Sequence, residues 1–375
     1  MKCRILYLIG QLRRGGSEYQ LYYLLKSIDR ARYQPQVVVW NSCETDSYTL
    51  SEPSRAKYLY AEQIQALSVP LHLLPGDLSR FVKLREFRHI VRQLKPEVVH
   101  SYSFYTNFAA WHATRGLNAI PIGSIRQDFV SERRMSGIIL GRLSACLPIT
   151  QISNSVAAQK TVEQSAGVFK PSHVRVVQNG IDIDGTRVFP LPQNGFSLLA
   201  VGRLDREKRW DRLLRATALL AARKVPFSVR LVGDGPLLKE LQSQAKDLGL
   251  EGLVQFLGRR DDIPTLLKES NFLIHTADAE GCPNVVLEAM VSGRAVVGTD
   301  AGDVPCLVED GKTGFVVRRG DDAMLVERMA TLIIDRDLCS RMGEAGRVKA
   351  EREFGLHRLV DETLAAYQQA GWRNS

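Results

Sequence analysis

The chain has 375 residues, 45% of them hydrophobic and 24% charged, with a formal net charge of +9. That length is too great for one ordinary domain and suits two. The composition is that of a soluble globular protein, with no apolar run near the ~20 residues of a membrane span. Six cysteines (Cys3, Cys43, Cys146, Cys282, Cys306, Cys339) form no CxxC pair and no metal-ligand spacing with the seven histidines. This predicts reduced, packed thiols rather than a disulfide scaffold or a zinc module. Residues 1–190 hold 24 Lys and Arg against 14 Asp and Glu, while residues 191–375 hold 26 against 27. The whole excess lies in the first half, which points to an anionic partner there: a membrane surface or a phosphorylated acceptor. Nucleic acid is the weakest of the candidate partners and is not expected, since no recognition module accompanies the charge.

In chain order, the first run, Cys3–Ile9, leads into Gly10-Gln-Leu-Arg-Arg rather than a cleavage site, so it reads as a buried strand and not a leader. The expected location is the cytoplasm, with peripheral attachment to the inner face of a membrane as a further expectation. The other first-half strand runs are Val37–Trp40, Val69–Leu74, Val98–Tyr102, Ile120–Ile125, Ile149–Ser153 and Val174–Val177. In the second half they are Ser197–Val201, Ser228–Val232, Val254–Leu257, Phe272–His275, Ala295–Gly298 and Phe315–Val317. Longer helical patterns separate them. Such alternation predicts parallel sheets covered by helices in each half. The junction is expected at Phe189-Pro-Leu-Pro-Gln-Asn-Gly195, giving domains of 1–190 and 191–354. The segment Arg80–Lys95 reads as a helix with six cations (Arg80, Lys83, Arg85, Arg88, Arg92, Lys95), either a solvated cover for its sheet or a face resting on anionic lipid. A last helix, 355–371, carries an apolar stripe that needs a surface.

Glycine-rich and charged loops follow several strands. Gly10-Gln-Leu-Arg-Arg-Gly15-Gly16 nearly spells a Walker A loop, but Gly16 replaces its lysine, and the loop serves either a ligand or a tight turn. Val201-Gly202-Arg203 and Lys208 put two cations after a strand, where they can reach a diphosphate. Leu231-Val-Gly233-Asp-Gly235 is not a dinucleotide fingerprint, and Gly258-Arg259 ends another strand. His275 reads as a packed or capping residue. In the first half, His100 and Tyr102 share one face of a strand end, near Arg126-Gln-Asp128, Asn154-Ser155 and Asn179-Gly180-Ile-Asp182.

The densest segment is Glu280-Gly281-Cys282-Pro283-Asn284-Val285-Val-Leu-Glu288, closed by Gly293. Pro283 suits a helix start, and the donors around Asn284 and Val285, aided by the helix dipole, favour an anion. Carboxylates at Glu280 and Glu288 then flank a place for a phosphate, the outline of a nucleotide-sugar.

Taken in order from Ser197 to Val317, these motifs resemble the retaining glycosyltransferases of family 4, in the GT-B superfamily. The first half matches more loosely, through Gly15-Gly16, Asn154-Ser155 and Asn179-Gly-Ile-Asp182. The resemblance implies an α/β fold of two Rossmann-like domains facing across a cleft, with the last helix crossing back to the first. It implies transfer of a sugar from a UDP- or GDP-sugar to a saccharide or lipid-linked acceptor, without metal or other cofactor. Arg203 and Lys208 would neutralise the leaving diphosphate. Glu280 would contact the sugar, and Glu288 the ribose. The backbone of Gly281, Cys282, Pro283, Asn284 and Val285 would hold phosphate or sugar, with Gly202, Gly258 and Arg259 lining the nucleotide and Gly16 closing over it. His100 or Tyr102 would touch the sugar. Tyr102 stands where many relatives carry the second histidine of a His-x-His pair. Two other functions stay open on the sequence: a GT-B nucleotide-sugar epimerase, and a degenerate sugar-nucleotide or membrane-binding scaffold.

Overall fold

The computed structural model describes residues 2–13, 15–42 and 59–373, so Cys43 lies outside it. Two compact units divide the chain: Met1–Gly180 together with Leu356–Ser375, and Ile181–Gly355.

The first unit holds β1 (Cys3–Ile9), β2 (Tyr33–Ser42), β3 (Leu71–Pro75), β4 (Val98–Ser101), β5 (Ile120–Ile125), β6 (Thr150–Ser153) and β7 (His173–Val176). They pair in parallel in the order β3-β2-β1-β4-β5-β6-β7. Alternation along the central strands sorts their side chains onto two faces. Ile5, Tyr7, Ile9, Val37 and Val39 pack with Leu21, Leu24 and Leu25 of the Gly16–Ser27 helix and with Leu359, Val360 and Tyr367 of the Leu356–Gln369 helix. Leu6, Leu8, Val38 and Trp40 face the other way, onto Phe87, Val91, Ala109, Ala110 and Ala113. Burial on both faces is why these strands read as unbroken apolar runs. Each fully buried Leu or Ile contributes roughly 1.5–3 kcal/mol.

The second unit repeats the scheme with β8 (Ser197–Val201), β9 (Ser228–Val232), β10 (Val254–Gly258), β11 (Phe272–His275), β12 (Ala295–Thr299) and β13 (Gly314–Val317). These are also parallel, in the order β10-β9-β8-β11-β12-β13. Its core joins Leu198, Ala200, Ile274 and Val297 to Leu213, Leu214, Leu325 and Met329 of the covering helices. In each sheet the strand order reverses once, between β1 and β4 in the first and between β8 and β11 in the second. Loops leaving the C-terminal ends of the strands diverge at such a reversal and open a crevice for a ligand.

Two expectations need correction. The division between the units falls at Gly180/Ile181, about ten residues before the proline-rich stretch. The reason is Arg294, whose buried guanidinium donates to the carbonyls of Phe189 (2.8 Å) and Pro190 (3.3 Å) and binds that stretch to the second unit. The Arg80–Leu94 helix does not offer all its cations to a surface either. Lys83 is buried and donates to Asn41 Oδ1 (2.6 Å) and Gly76 O (3.1 Å). Arg88 donates to the carbonyls of His112 (2.8 Å), Ala113 (3.3 Å) and Arg115 (2.9 Å), which close the next helix. Among the described residues, no helix is long and apolar enough to cross a membrane.

Candidate active site

The strand reversal of the second unit has β8 on one side and β11 on the other, and their loops carry the charged motifs. After Val201 the chain turns through Gly202 and Arg203, and Leu204 inserts into the core. The Asp205 carboxylate accepts from the Lys208 backbone N–H (3.3 Å) and closes a single turn over Arg206–Lys208. Arg209 then takes a left-handed conformation (φ 53°), which reverses the chain into the Trp210–Ala221 helix. Gly233, at the end of β9, has φ +147° and would place a Cβ 1.8 Å from the Gly202 carbonyl oxygen, so only glycine lets the two loops touch.

The β11 loop is tied to this one by hydrogen bonds to its backbone carbonyls. Thr276 Oγ1 donates to the Lys208 carbonyl (2.9 Å), and the Asp278 N–H donates to the Glu207 carbonyl (2.8 Å). The result is a close ion pair between the Lys208 ammonium and Glu280 Oε1, with His275 Nε2 hydrogen-bonded to the same oxygen at 2.9 Å. The Glu280 side chain is only 13% exposed. Burial by itself would push its carboxyl up; the Lys208 charge and the His275 contact outweigh that and hold it at about 2. Glu280 is therefore an anion at any physiological pH. Arg212 braces the loop from below, buried and bonded to Asp278 (2.9 Å), Asp322 (3.1 Å) and the Thr276 carbonyl (2.9 Å). Arg209 pairs with Asp278 as well. From the β12 side, a Cβ on Gly302 (φ +53°) would lie 2.5 Å from the Glu280 carbonyl oxygen, so this turn presses against the same loop.

Glu280 leads directly into the Asn284–Val291 helix. Pro283 is its N-cap and supplies no side-chain cap, and Gly293 (φ +69°) follows its end. Val286, Leu287 and Met290 anchor one face in the core, while Asn284, Val285 and Glu288 stay half-buried. Gly281, Cys282 and Pro283 are buried in the turn between. A carboxylate, an ammonium and a helix N-terminus thus meet at the crevice of one sheet, an arrangement suited to an anionic, hydroxyl-bearing ligand.

Other expected residues are placed differently. Arg203 projects to solvent, 72% exposed, 3.8 Å from Asp205. Gly258 and Arg259 end β10, the edge strand, two strands away from β8. Gly16 opens the helix after β1, at the strand reversal of the first unit. His100 is a core residue of that unit, 1% exposed. Its Nδ1 is bonded to Tyr367 Oη (2.7 Å) and its Nε2 to Ser124 Oγ (3.1 Å), so both ring nitrogens are spent inside the unit. Burial, reinforced by the Arg126 charge, keeps its pKa well below the ordinary histidine value, so it stays neutral. Tyr102 is buried beneath the Arg126 guanidinium, 3.9 Å from its ring centre. Neither is presented to a sugar here. His275 is the residue the sequence undervalued. It ends β11 and reaches Glu280 because the intervening residues fold back over the strand end; a histidine at a strand end five residues before a motif carboxylate was the available signal.

Two parallel-sheet Rossmann-like units, with this charge arrangement on the second, define a GT-B glycosyltransferase. The chain belongs to glycosyltransferase family 4: the Glycosyltransferase Family 4 profile matches residues 14–184, and that of Glycosyl transferases group 1 matches residues 186–349. It is 32% identical over 331 residues to EpsD of Bacillus subtilis, which carries a glycosyltransferase name, covering 81% of this chain and 84% of that one. It is 29% identical over 170 residues to N-acetyl-alpha-D-glucosaminyl L-malate synthase of Bacillus anthracis, covering 45% of this chain and 44% of that protein's length. In fold it matches HepE of Anabaena, solved in complex with UDP-glucose, with a TM-score of 0.80 and 21% identity over 98% of this chain and 99% of that one.

Proposed function

We propose that this chain moves a sugar from a nucleotide-sugar to an acceptor hydroxyl of a saccharide, with retention at the anomeric carbon and without a metal ion. The observation that carries the reading is the Lys208–Glu280 pair, held by His275 at the strand reversal and followed at once by a helix N-terminus. When a glycosyl–phosphate bond breaks, positive charge grows on the sugar and negative charge on the diphosphate. An anion and a cation side by side match that separation before it begins, so no reorganisation is needed in the transition state. Lys208 and the helix start face the leaving group, with the solvent-facing Arg203 able to swing onto it. Both contacts to Glu280 fall on Oε1, which leaves the other oxygen to accept from a sugar hydroxyl.

Retention follows in this reading from the likeness to the retaining transferases of family 4. A general base works best with a pKa near the operating pH. Held low by Lys208 and His275, Glu280 is a poor general base, and the reading gives it a charge-stabilising role instead. The donor nucleotide is UDP or GDP; HepE's complex with UDP-glucose favours UDP. The basic first half favours an anionic acceptor such as a lipid-linked saccharide.

The test is a panel of UDP- and GDP-sugars incubated with the purified chain and lipid or saccharide acceptors, with and without EDTA, read by mass spectrometry and by NMR of the new anomeric centre. We expect a product of unchanged anomeric configuration, formed equally in EDTA. An inverted product, or an absolute need for magnesium or manganese, contradicts the reading; epimerised donor with no transfer would point to the epimerase instead.

A further inference from the structure

In the first unit the helices Phe129–Met135 and Ile138–Cys146 form a hairpin through Ser136 and the left-handed Gly137 (φ +82°). They pack closely: a Cβ on Gly141 would lie 2.1 Å from the Arg133 carbonyl oxygen. That packing turns Gly141, Ser144 and Ala145 inward. Ile138 and Ile139 are left on the outside, 76% and 75% exposed, with Met135 beside the turn at 65%. The Val168-Phe169 segment lies alongside. Cys146 Sγ approaches the Val168 carbonyl (3.7 Å), Arg133 donates to the Phe169 carbonyl (3.5 Å), and the Arg142 guanidinium covers the Phe169 ring at 4.9 Å. Val168 itself is 82% exposed. Arg142 is three and four positions beyond Ile139 and Ile138, so all three share one helix face. Scattered exposed aliphatics need no explanation, but a gathered set does.

The rim of this patch is basic. From Asp128 to Lys170 the chain carries five cations (Arg133, Arg134, Arg142, Lys160, Lys170) against three carboxylates, Asp128, Glu132 and Glu163, of which Asp128 caps its helix by accepting from the Ser131 N–H. Glu132 is turned inward, accepting from the Arg126 N–H at 3.0 Å, and adds nothing to the surface. Apolar side chains ringed by arginine are what an anionic lipid surface accepts: the aliphatic groups enter the headgroup boundary and the guanidinium groups stay with the phosphates. A second copy of this chain fits worse, because a two-fold contact through this face would set its cations against their own images.

We propose that this hairpin and the Val168-Phe169 segment form a docking surface for an anionic lipid bilayer. It is distinct from the Arg80–Leu94 helix, whose Lys83 and Arg88 are occupied in holding the unit together. The proposal stands apart from the transfer reaction, because vesicle binding is read without turnover.

The experiment is co-sedimentation of the full chain with vesicles of phosphatidylcholine alone and mixed with phosphatidylglycerol, at low and high salt. The wild type should prefer the mixed vesicles by at least ~10-fold, since each cation near the surface contributes about a factor of five. Ile138→Ser with Ile139→Ser should weaken binding by ~10-fold or more at both salt levels while keeping the melting temperature. Arg134→Gln with Arg142→Gln should remove most of the anionic preference and flatten the salt response. Arg85→Gln with Arg92→Gln, on the other helix, should change neither. Equal binding to both vesicle types, unchanged binding by the hairpin variants, or loss in the Arg85/Arg92 variant overturns the proposal. A concentration-dependent dimer abolished by the Ile138/Ile139 changes would overturn it too, assigning the face to a second copy.

Discussion

The two units share one topology but treat the polar groups at their strand reversals in opposite ways. In the second unit Glu280 is held at about 2, because Lys208 and His275 outweigh the cost of its burial. In the first, Glu18 sits in the first turn of the helix after β1, its carboxyl folded back against Gly15. Burial pushes Glu18 up to about 7, with only weak relief from Arg126. The histidines differ in the same sense: His275 supports an anion, whereas burial and the Arg126 charge keep His100 neutral between Tyr367 and Ser124. One edge therefore carries a buried ion pair, whereas the other carries the Arg126 cation over neutral hydrogen-bonding groups. The lesson is that the strand order makes two equivalent edges, and the paired charges set one apart from the other.

The largest effect that would sharpen this contrast comes from Lys208→Ala. It removes the cation proposed to face the leaving group and strips Glu280 of its charged partner, so turnover should fall by ~10²-fold or more. It should also move the acid limb of the pH–rate profile toward neutrality. In the wild type the Glu280 pair stabilises the protein above the ordinary carboxylate pKa and loses that contribution as pH falls from about 4.5 toward 2. A near-wild-type rate in Lys208→Ala would break the comparison.

His275→Ala should cost less, roughly tenfold in kcat with little change in KM, as expected for a group that orients a carboxylate through one hydrogen bond. His275→Gln, which keeps a donor, should recover part of the loss. Loss in KM alone would make His275 a binding residue.

The smallest effect on turnover, within about threefold, is expected for Glu18→Gln. Its signature is stability. A carboxyl raised by burial weakens the fold as pH climbs through its folded pKa, so the substitution should stabilise by about 1–3 kcal/mol at pH 8. At pH 4, where the wild-type group is already neutral, the gain should vanish. Thermal melts at the two pH values check this; equal gains at both would show that Glu18 is not buried as an acid.

Much of this architecture was legible before the structure, for a physical reason. Parallel strands buried on both faces must be continuous apolar runs, so Ser197–Val201 and Phe272–His275 declared themselves, as did the charged loops that follow. The Lys208–Glu280 ion pair joins two residues that the sequence singled out, because glycine and charge follow directly after such strands. What failed was non-local. His100 is held in the core, its Nδ1 bonded to Tyr367, 267 positions later in the chain. Lys83 looked solvated on its helix, yet its ammonium reaches Asn41 on β2. The junction was misplaced because Arg294 fastens Phe189 and Pro190 from more than a hundred residues away. Helical and strand periodicity describe which face a residue occupies, not which partner waits there.

The central claim is that Glu280 acts on the developing charge of the sugar while the nucleotide is held elsewhere. Glu280→Gln tests it most directly, since it keeps shape and removes charge. Nucleotide-sugar turnover and nucleotide affinity, by calorimetry, should be measured on the same preparation. The account predicts a fall in kcat of ~10²-fold or more with affinity changed by less than about threefold, because stabilisation confined to the transition state is lost in the chemical step. Equal losses in turnover and affinity would contradict it and place Glu280 on the nucleotide.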